Sequence, residues 1–272
     1  MAKTVRTAFI IWIILSSALC LSAQEYKRIV SLAASITNNL YLLEAQDKLV
    51  GRTQYCTIAE KDNIPVVADA VNVNIEKVVN LKPDIVIAGG LTHPRIIQAL
   101  QKMGIHTVHW NQPKSFDEIC SQLEELGKIC GKSELAARYV KESQERLAKI
   151  RPKITRKNKV FMEQGANPLY TVLPNSFVND YITLSGGENI CADLDNGLIS
   201  RELVLLRNPD IIVIVSMGEV GEMEKKEWEK YRTVNAVKNK RIFLVDAEQA
   251  CTPTPVTFID VLEKLIHEIY KE

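Results

Sequence analysis

The chain has 272 residues, enough for one large or two ordinary domains around a sizeable core. Hydrophobic residues make up 46% and charged residues 25%, a globular composition that excludes a disordered, collagen-like or multi-span membrane protein. The 34 Lys and Arg almost cancel 33 Asp and Glu, so the chain has no basic excess for nucleic acid, and four His are too few for a His-rich metal cage.

Residues 1–23 read as an export signal. Lys3 and Arg6 precede an apolar run from Ala8 to Leu21, and the small residues Ser22 and Ala23 lead into polar Gln24 and Glu25. Cleavage after Ala23 removes both positive charges and turns the net charge from +1 to −1. A lipid anchor at Cys20 is the less favoured alternative because Leu19, not a small residue, precedes it. An uncleaved span is the third reading, the apolar run being short for a bilayer. The expected location is the periplasm. The mature chain keeps Cys56, Cys120, Cys130, Cys191 and Cys251, an odd number with no CxxC and no favoured pairing.

From Arg28 onward, short apolar runs alternate with helical patterns, as in an α/β fold. The first half has Ile29–Leu32, Leu49–Gly51, Ile85–Ala88 and Ile105–Val108; the second has Val160–Met162, Ile211–Val215 and Ile242–Val245. Their continuous apolar character suits mostly parallel sheets covered on both faces. Between the halves, Ser133 to Ile150 reads as a capped helix with an apolar stripe of Leu135, Tyr139, Leu147 and Ile150. At 1.5 Å per residue this is about 27 Å, a stiff connector between two lobes. The expected organisation is a lobe at 24–132, a connecting helix at 133–156 and a lobe at 157–272, with a cleft between similar lobes.

The halves share an internal repeat. Asn74 to Asp84 (NIEKVVNLKPD) and Ser200 to Asp210 (SRELVLLRNPD) each place a capping residue, a Glu two positions later and a Pro-Asp before a buried strand. By themselves Glu76 and Glu202 are favourable helix-dipole placements. Ligands of open parallel sheets bind beyond the strand carboxyl ends, a rule that nominates Tyr55, Cys56, Leu91, His93, Trp110, Gln164, Met217, Asp246 and Cys251.

These segments resemble a known family. Ser31–Thr37, Leu49–Cys56, Asn74–Asp84, Asn167–Thr171 with Phe177–Asp180, and Leu184–Asn189 follow, in order, the pattern of substrate-binding proteins of ABC importers for cobalamin, haem and ferric siderophores. The resemblance implies two α/β lobes on a rigid helix, a monomer without a resident cofactor, and a bound corrinoid, ferric siderophore or haem, the corrinoid favoured. It also implies that Glu76 and Glu202 dock onto the two halves of a permease dimer. The chain has Ala34 and Asn38 where the family commonly has Pro and Glu, and Glu44 in place of a usual Gly.

Tyr55 suits stacking on a flat macrocycle or ligation of ferric iron. His93 follows a strand, and Trp110, Tyr170, Phe177, Asp246 and Thr252 complete the expected ligand contacts. Cys56 reads as a small buried hydrophobe. His106 and His109, three apart in a strand, point to opposite faces and cannot share one ion. An exported hydrolase would need GxSxG, HExxH or clustered His and carboxylates, and none occurs. Gly186-Gly187-Glu188 lacks the Gly-Lys-Ser/Thr of a phosphate loop.

Overall fold

A computed structural model describes residues 25–69, 72–150, 157–216 and 218–271; the leader with Cys20, Met217 and residues 151–156 of the connector lie outside them. In the first lobe the strands are β1 (Ile29–Ser31), β2 (Leu49–Thr53), β3 (Val66–Ala68), β4 (Ile85–Ala88) and β5 (Thr107–His109). They form one all-parallel sheet in the order β3-β2-β1-β4-β5. The helices are α1 (Ala34–Leu42), α2 (Ile75–Asn80), α3 (Pro94–Lys102) and α4 (Phe116–Ile129). Every residue of β1 and β4 is buried, as expected where helices cover both faces.

The connector is α5 (Ser133–Ile150). Its buried face is Ala136, Val140, Ser143, Leu147 and Ile150, so the expected stripe is rotated: Leu135 and Tyr139 flank it half-buried. Small residues bring the helices close, and a Cβ on Gly127 of α4 would lie 2.6 Å from that of Ala136.

The second lobe contains β6 (Asn158–Ala166), β7 (Leu169–Thr171), β8 (Gly187–Asn189), β9 (Ile211–Ser216) and β10 (Ile242–Asp246). The order is β10-β9-β6-β7, with β8 parallel to the start of β6 and β7 antiparallel to its end. Its helices are α6 (Phe177–Leu184), α7 (Arg201–Arg207), α8 (Glu219–Glu229), α9 (Asn235–Lys238), α10 (Ala247–Cys251) and α11 (Pro255–Tyr270). Seven of these strands coincide with apolar runs in the sequence. The other three (β3, β7 and β8) are three residues long; β3 is a short apolar Val66-Val67-Ala68 that is not among those runs, and β7 and β8 carry no apolar run.

One apolar core crosses between the lobes through α4, α5, α6 and α11. Phe258 of α11 lies with its ring 5.0 Å from Phe116 of α4 and stacked 4.4 Å from Tyr181 of α6. Polar contacts reinforce the junction. Asp180 of α6 accepts the Phe116 N–H at 2.8 Å, and the Arg146 guanidinium of α5 donates to Asp260 at 2.7 Å and to Glu263 at 3.2 and 2.7 Å. The two α/β lobes on one long helix match the expected fold class.

The repeat builds the same object twice. Asn74 accepts the Lys77 N–H at 2.9 Å to cap α2, and Ser200 accepts the Leu203 N–H at 3.3 Å to cap α7. Both helices are left through a residue with positive φ, Lys82 (45°) and Asn208 (47°). Asp84 then accepts the Lys27 and Arg28 N–H groups at 2.9 and 3.0 Å, tying β4 to β1, while Asp210 accepts the Lys159 N–H at 3.0 Å, tying β9 to β6. The Asp of each Pro-Asp pair is thus a strand bracket.

Candidate ligand-binding site

The carboxyl ends of all five strands of the first sheet converge on one cavity of ≈ 340 Å³. Leu32–Ser35 follow β1, Thr53 and Tyr55 end β2, Asp69 follows β3, Gly89–Leu91 follow β4, and Gln112 follows β5; Cys251 and Thr252 face them from the second lobe. This is where parallel-sheet topology places a ligand: β1 and β4 are neighbours whose connections leave in opposite directions. Gly89 and Gly90 let the loops close in. A Cβ on Gly89 would lie 2.6 Å from that of Ala33, and one on Gly90 would lie 2.8 Å from the Gln112 nitrogen.

Tyr55 is 54% exposed and lines the cavity. Its neighbour Cys56 is fully buried, with its Sγ 3.0 Å from the Thr37 hydroxyl and 3.3 Å from that of Thr53, a packed position. Arg52 is buried and donates to the carbonyls of Ile64 and Thr53 at 3.1 and 3.2 Å, so its charge serves the loop and not the cleft. Among the described residues, those lining the cavity include one carboxylate, Asp69, and no Lys, Arg or His. Burial pushes the Cys251 thiol above its ordinary range, partly offset by a hydrogen bond with Gln164, so a neutral thiol faces the cavity. The α1 N-terminus opens on the same space with no side-chain cap at Ala33, leaving backbone N–H groups available there.

The remaining expected contacts are dispersed. Thr252 lines the cavity and receives hydrogen bonds across the cleft from the Asn38 amide, at 3.0 Å to its carbonyl and 3.2 Å to its hydroxyl. Beyond this contact lies a second interlobe groove of ≈ 950 Å³, which holds Asp246; Asp246 also caps α10 by accepting the Gln249 N–H at 2.9 Å. His93 caps α3, its Nδ1 accepting the Arg95 N–H at 3.1 Å. Trp110 is 8% exposed, and both it and Phe177 pack in the shared core. Tyr170 is half-exposed on β7, its ring against Gly197. His106 pairs with the Tyr26 hydroxyl at 2.8 Å. The five cysteines described are all free thiols.

Leu32–Ser35, Thr53, Asp69, Gly89, Gly90 and Gln112 line the cavity in addition to the residues that the strand-end rule nominates. Most act through backbone or small neutral side chains. The one usable signal was Gly89-Gly90 directly after a buried strand.

Glu76 and Glu202 stand exposed at the second position of their helices, one per lobe. Backbone and Ser200 hydrogen bonds hold the Glu202 carboxyl below the usual carboxylate range.

Residues 29–249 match the family model described as periplasmic binding protein. The chain is 31% identical over 261 residues to the ABC transporter substrate-binding lipoprotein YvrC of Bacillus subtilis (strain 168), covering 92% of this chain and 82% of that one. It is 30% identical over 208 residues to a vitamin B12-binding protein of Yersinia pestis (strain Pestoides F), covering 74% of each. The crystal structure of the periplasmic vitamin B12 binding protein BtuF of Vibrio cholerae superposes with a TM-score of 0.79 at 26% identity, covering 90% of this chain and 96% of that one. A periplasmic heme binding protein from Pseudomonas aeruginosa shares the fold, with a TM-score of 0.78 at 20% identity over 90% and 93% of the two chains. Two lobes on one helix, a cleft at the strand ends and these matches over most of the chain have one meaning: the chain belongs to the periplasmic binding protein family, the substrate-binding receptors of ABC importers.

Proposed function

We propose that this receptor captures a corrinoid and delivers it to the permease of its ABC importer. The observation that carries the reading is the strand-end cavity itself, whose lining among the described residues has no cationic side chain, Lys61 lying in the larger second groove. Haem propionates and anionic ferric siderophores call for Arg or Lys partners. A corrin rimmed by neutral amides calls instead for neutral donors and a stacking face, the roles of Gln112, Ser35, the open α1 N-terminus and Tyr55. The vitamin B12-binding relatives support the same choice. One feature favours haem as a second reading: the Tyr55 phenol, as phenolate, is an axial ligand for ferric haem.

Titration of the purified protein with cobinamide, cyanocobalamin, haemin and a ferric siderophore, followed by chelate absorbance, tests the choice. Corrinoid binding is expected, and Tyr55→Ala weakens it by about 1–3 kcal/mol, by analogy with base–aromatic stacking. A Soret shift with haemin and no corrin response overturns the corrinoid reading and leaves haem; an unchanged dissociation constant for Tyr55→Ala removes the ring from the site.

Delivery runs through Glu76 and Glu202, one acid for each half of the permease dimer, with the receptor acting as a monomer. Exposed ion pairs contribute about 0–1 kcal/mol each, which suits a receptor that must also leave. Glu76→Lys with Glu202→Lys is expected to abolish uptake while ligand affinity stays; normal uptake by the double variant removes the docking role. Export uses the leader, with cleavage after Ala23 favoured over lipidation at Cys20, although the YvrC relative is a lipoprotein. The mass of the mature N-terminal peptide separates the two.

A further inference from the structure

We infer that the second lobe meets the permease through a mixed acidic and apolar face, made of Glu202 and Leu206 on α7 and Glu219, Val220, Glu222 and Met223 on α8. The inference rests on the docking reading above and adds a partner surface to it. On α7 the only exposed side chains are Glu202 and Leu206, four residues apart and therefore on one face. Leu206 is 81% exposed, and on α8 Val220 and Met223 are 60% and 70% exposed, each directly following an exposed acid, Glu219 and Glu222. One exposed Leu would be unremarkable; three large apolar side chains on two helices joined through Arg201 exceed ordinary scatter.

The join is specific. Arg201, next to Glu202, forms an ion pair with Glu224 and lies with its guanidinium 4.5 Å over the Trp228 ring, both on α8. Trp228 is fully buried and donates its indole N–H to Glu163 at 2.6 Å. Arg201 thus fastens the first turn of α7 to α8 and fixes Glu202 relative to Met223, the neighbour of Glu224. α8 directly follows β9, so its first turn lies at the carboxyl edge of the sheet.

The first lobe presents a weaker version: on α2 only Val79, 38% exposed, stands apolar beside Glu76. Asn80 stands where the repeat puts Leu206, and α3, which follows β4 as α8 follows β9, starts with His93-Pro94-Arg95 and has no acid in its first turn. The partner that fits is a permease surface with basic side chains around an apolar patch. Three carboxylates on the face disfavour an anionic membrane surface.

The test introduces the photo-crosslinking residue p-benzoylphenylalanine at 206 or 223, and at 79 beside Glu76, in cells carrying the whole importer, with adducts identified by mass spectrometry. Positions 206 and 223 are expected to crosslink to an ABC permease subunit, and the adducts to be lost with Glu202→Lys. Leu206→Ser with Met223→Ser is expected to lower cyanocobalamin uptake about tenfold and to leave the dissociation constant for cyanocobalamin unchanged. Permease adducts from position 79 alone, adducts to a second copy of this chain or to lipid, or full uptake by the double Ser variant overturn the inference and spare the docking acids. No permease adduct from any position, together with normal uptake by Glu76→Lys/Glu202→Lys, overturns the docking reading itself.

Discussion

The two lobes execute one plan with different materials. Cap, acid, left-handed exit and Asp bracket recur 126 positions apart, from Asn74–Asp84 to Ser200–Asp210. The sheets they feed differ. The first is five parallel strands that all end at the cavity, whereas the second is interrupted by the β6–β7 hairpin and, among the described residues, gives the cavity only Cys251 and Thr252. The second lobe also buries a carboxylate, Glu163, which accepts the Trp228 indole N–H of α8. The repeat therefore preserves one exposed helix-start acid and one strand bracket per lobe, while the cavity-facing and interior parts diverged.

The buried acid offers the largest stability test of that divergence. Burial drives the Glu163 carboxyl up to about 7 from an ordinary 4.5, despite the Trp228 hydrogen bond and the nearby Arg201, which pull it down. The folded chain then keeps a proton that the unfolded chain has released. Stability contributed by this group is present below about pH 4.5 and is lost as pH rises toward about 7. The loss amounts to roughly 3 kcal/mol. In urea denaturation between pH 5 and 8, Glu163→Gln should flatten this decline; an unchanged pH slope would place the titration elsewhere.

Next come the brackets, where the lobes should agree. Asp84 accepts two backbone N–H groups, and Asp210 accepts one plus the Asn235 amide at 3.1 Å. Asp84→Ala and Asp210→Ala should each cost about 1–3 kcal/mol by denaturant midpoint. A large cost in one lobe and none in the other would show that the repeat is a likeness of sequence without a shared structural role.

The repeat was legible because its parts are chemical: a cap, an acid, a proline. The strands β1, β2, β4, β5, β6, β9 and β10 were legible as apolar runs. Gly187-Glu188-Asn189 carries no such run, and it forms β8 only because β6 offers an open edge. On α5, reading large side chains pointed to Leu135 and Tyr139, whereas the closest packing uses Ala136 and Ser143, which hydrophobicity underweights. The cleft was half legible. The strand-end rule found Tyr55, Leu91 and Cys251, but it favoured aromatic and His side chains next to the strands. Trp110 directly after β5 turns into the core, and Gln112, two residues on, reaches the cavity. Backbone-lined positions such as Ala33 and Gly89 have no side-chain chemistry to read.

The smallest effect concerns how each lobe ends a helix. After α1, Glu44 takes φ 51°, and the N–H of Ala45 reaches Leu40 at 2.9 Å while that of Glu44 reaches Tyr41 at 3.1 Å. That pair of bonds is a Schellman ending, which favours glycine at the left-handed position because any Cβ is crowded there. In the second lobe, Asn208 holds the same conformation at lower strain, and its side chain accepts the Asn235 N–H at 2.8 Å. Glu44→Gly should relieve the strain and, after the larger entropy of the unfolded glycine chain is subtracted, stabilise the protein by about 0.5–1 kcal/mol. Asn208→Gly should give no gain, because it surrenders a hydrogen bond for a conformation Asn already tolerates. Paired denaturant midpoints decide the matter: equal gains at both sites would mean that the lobes carry equal strain, and no gain at Glu44 would mean that its neighbours, not its backbone, set the energy of that turn.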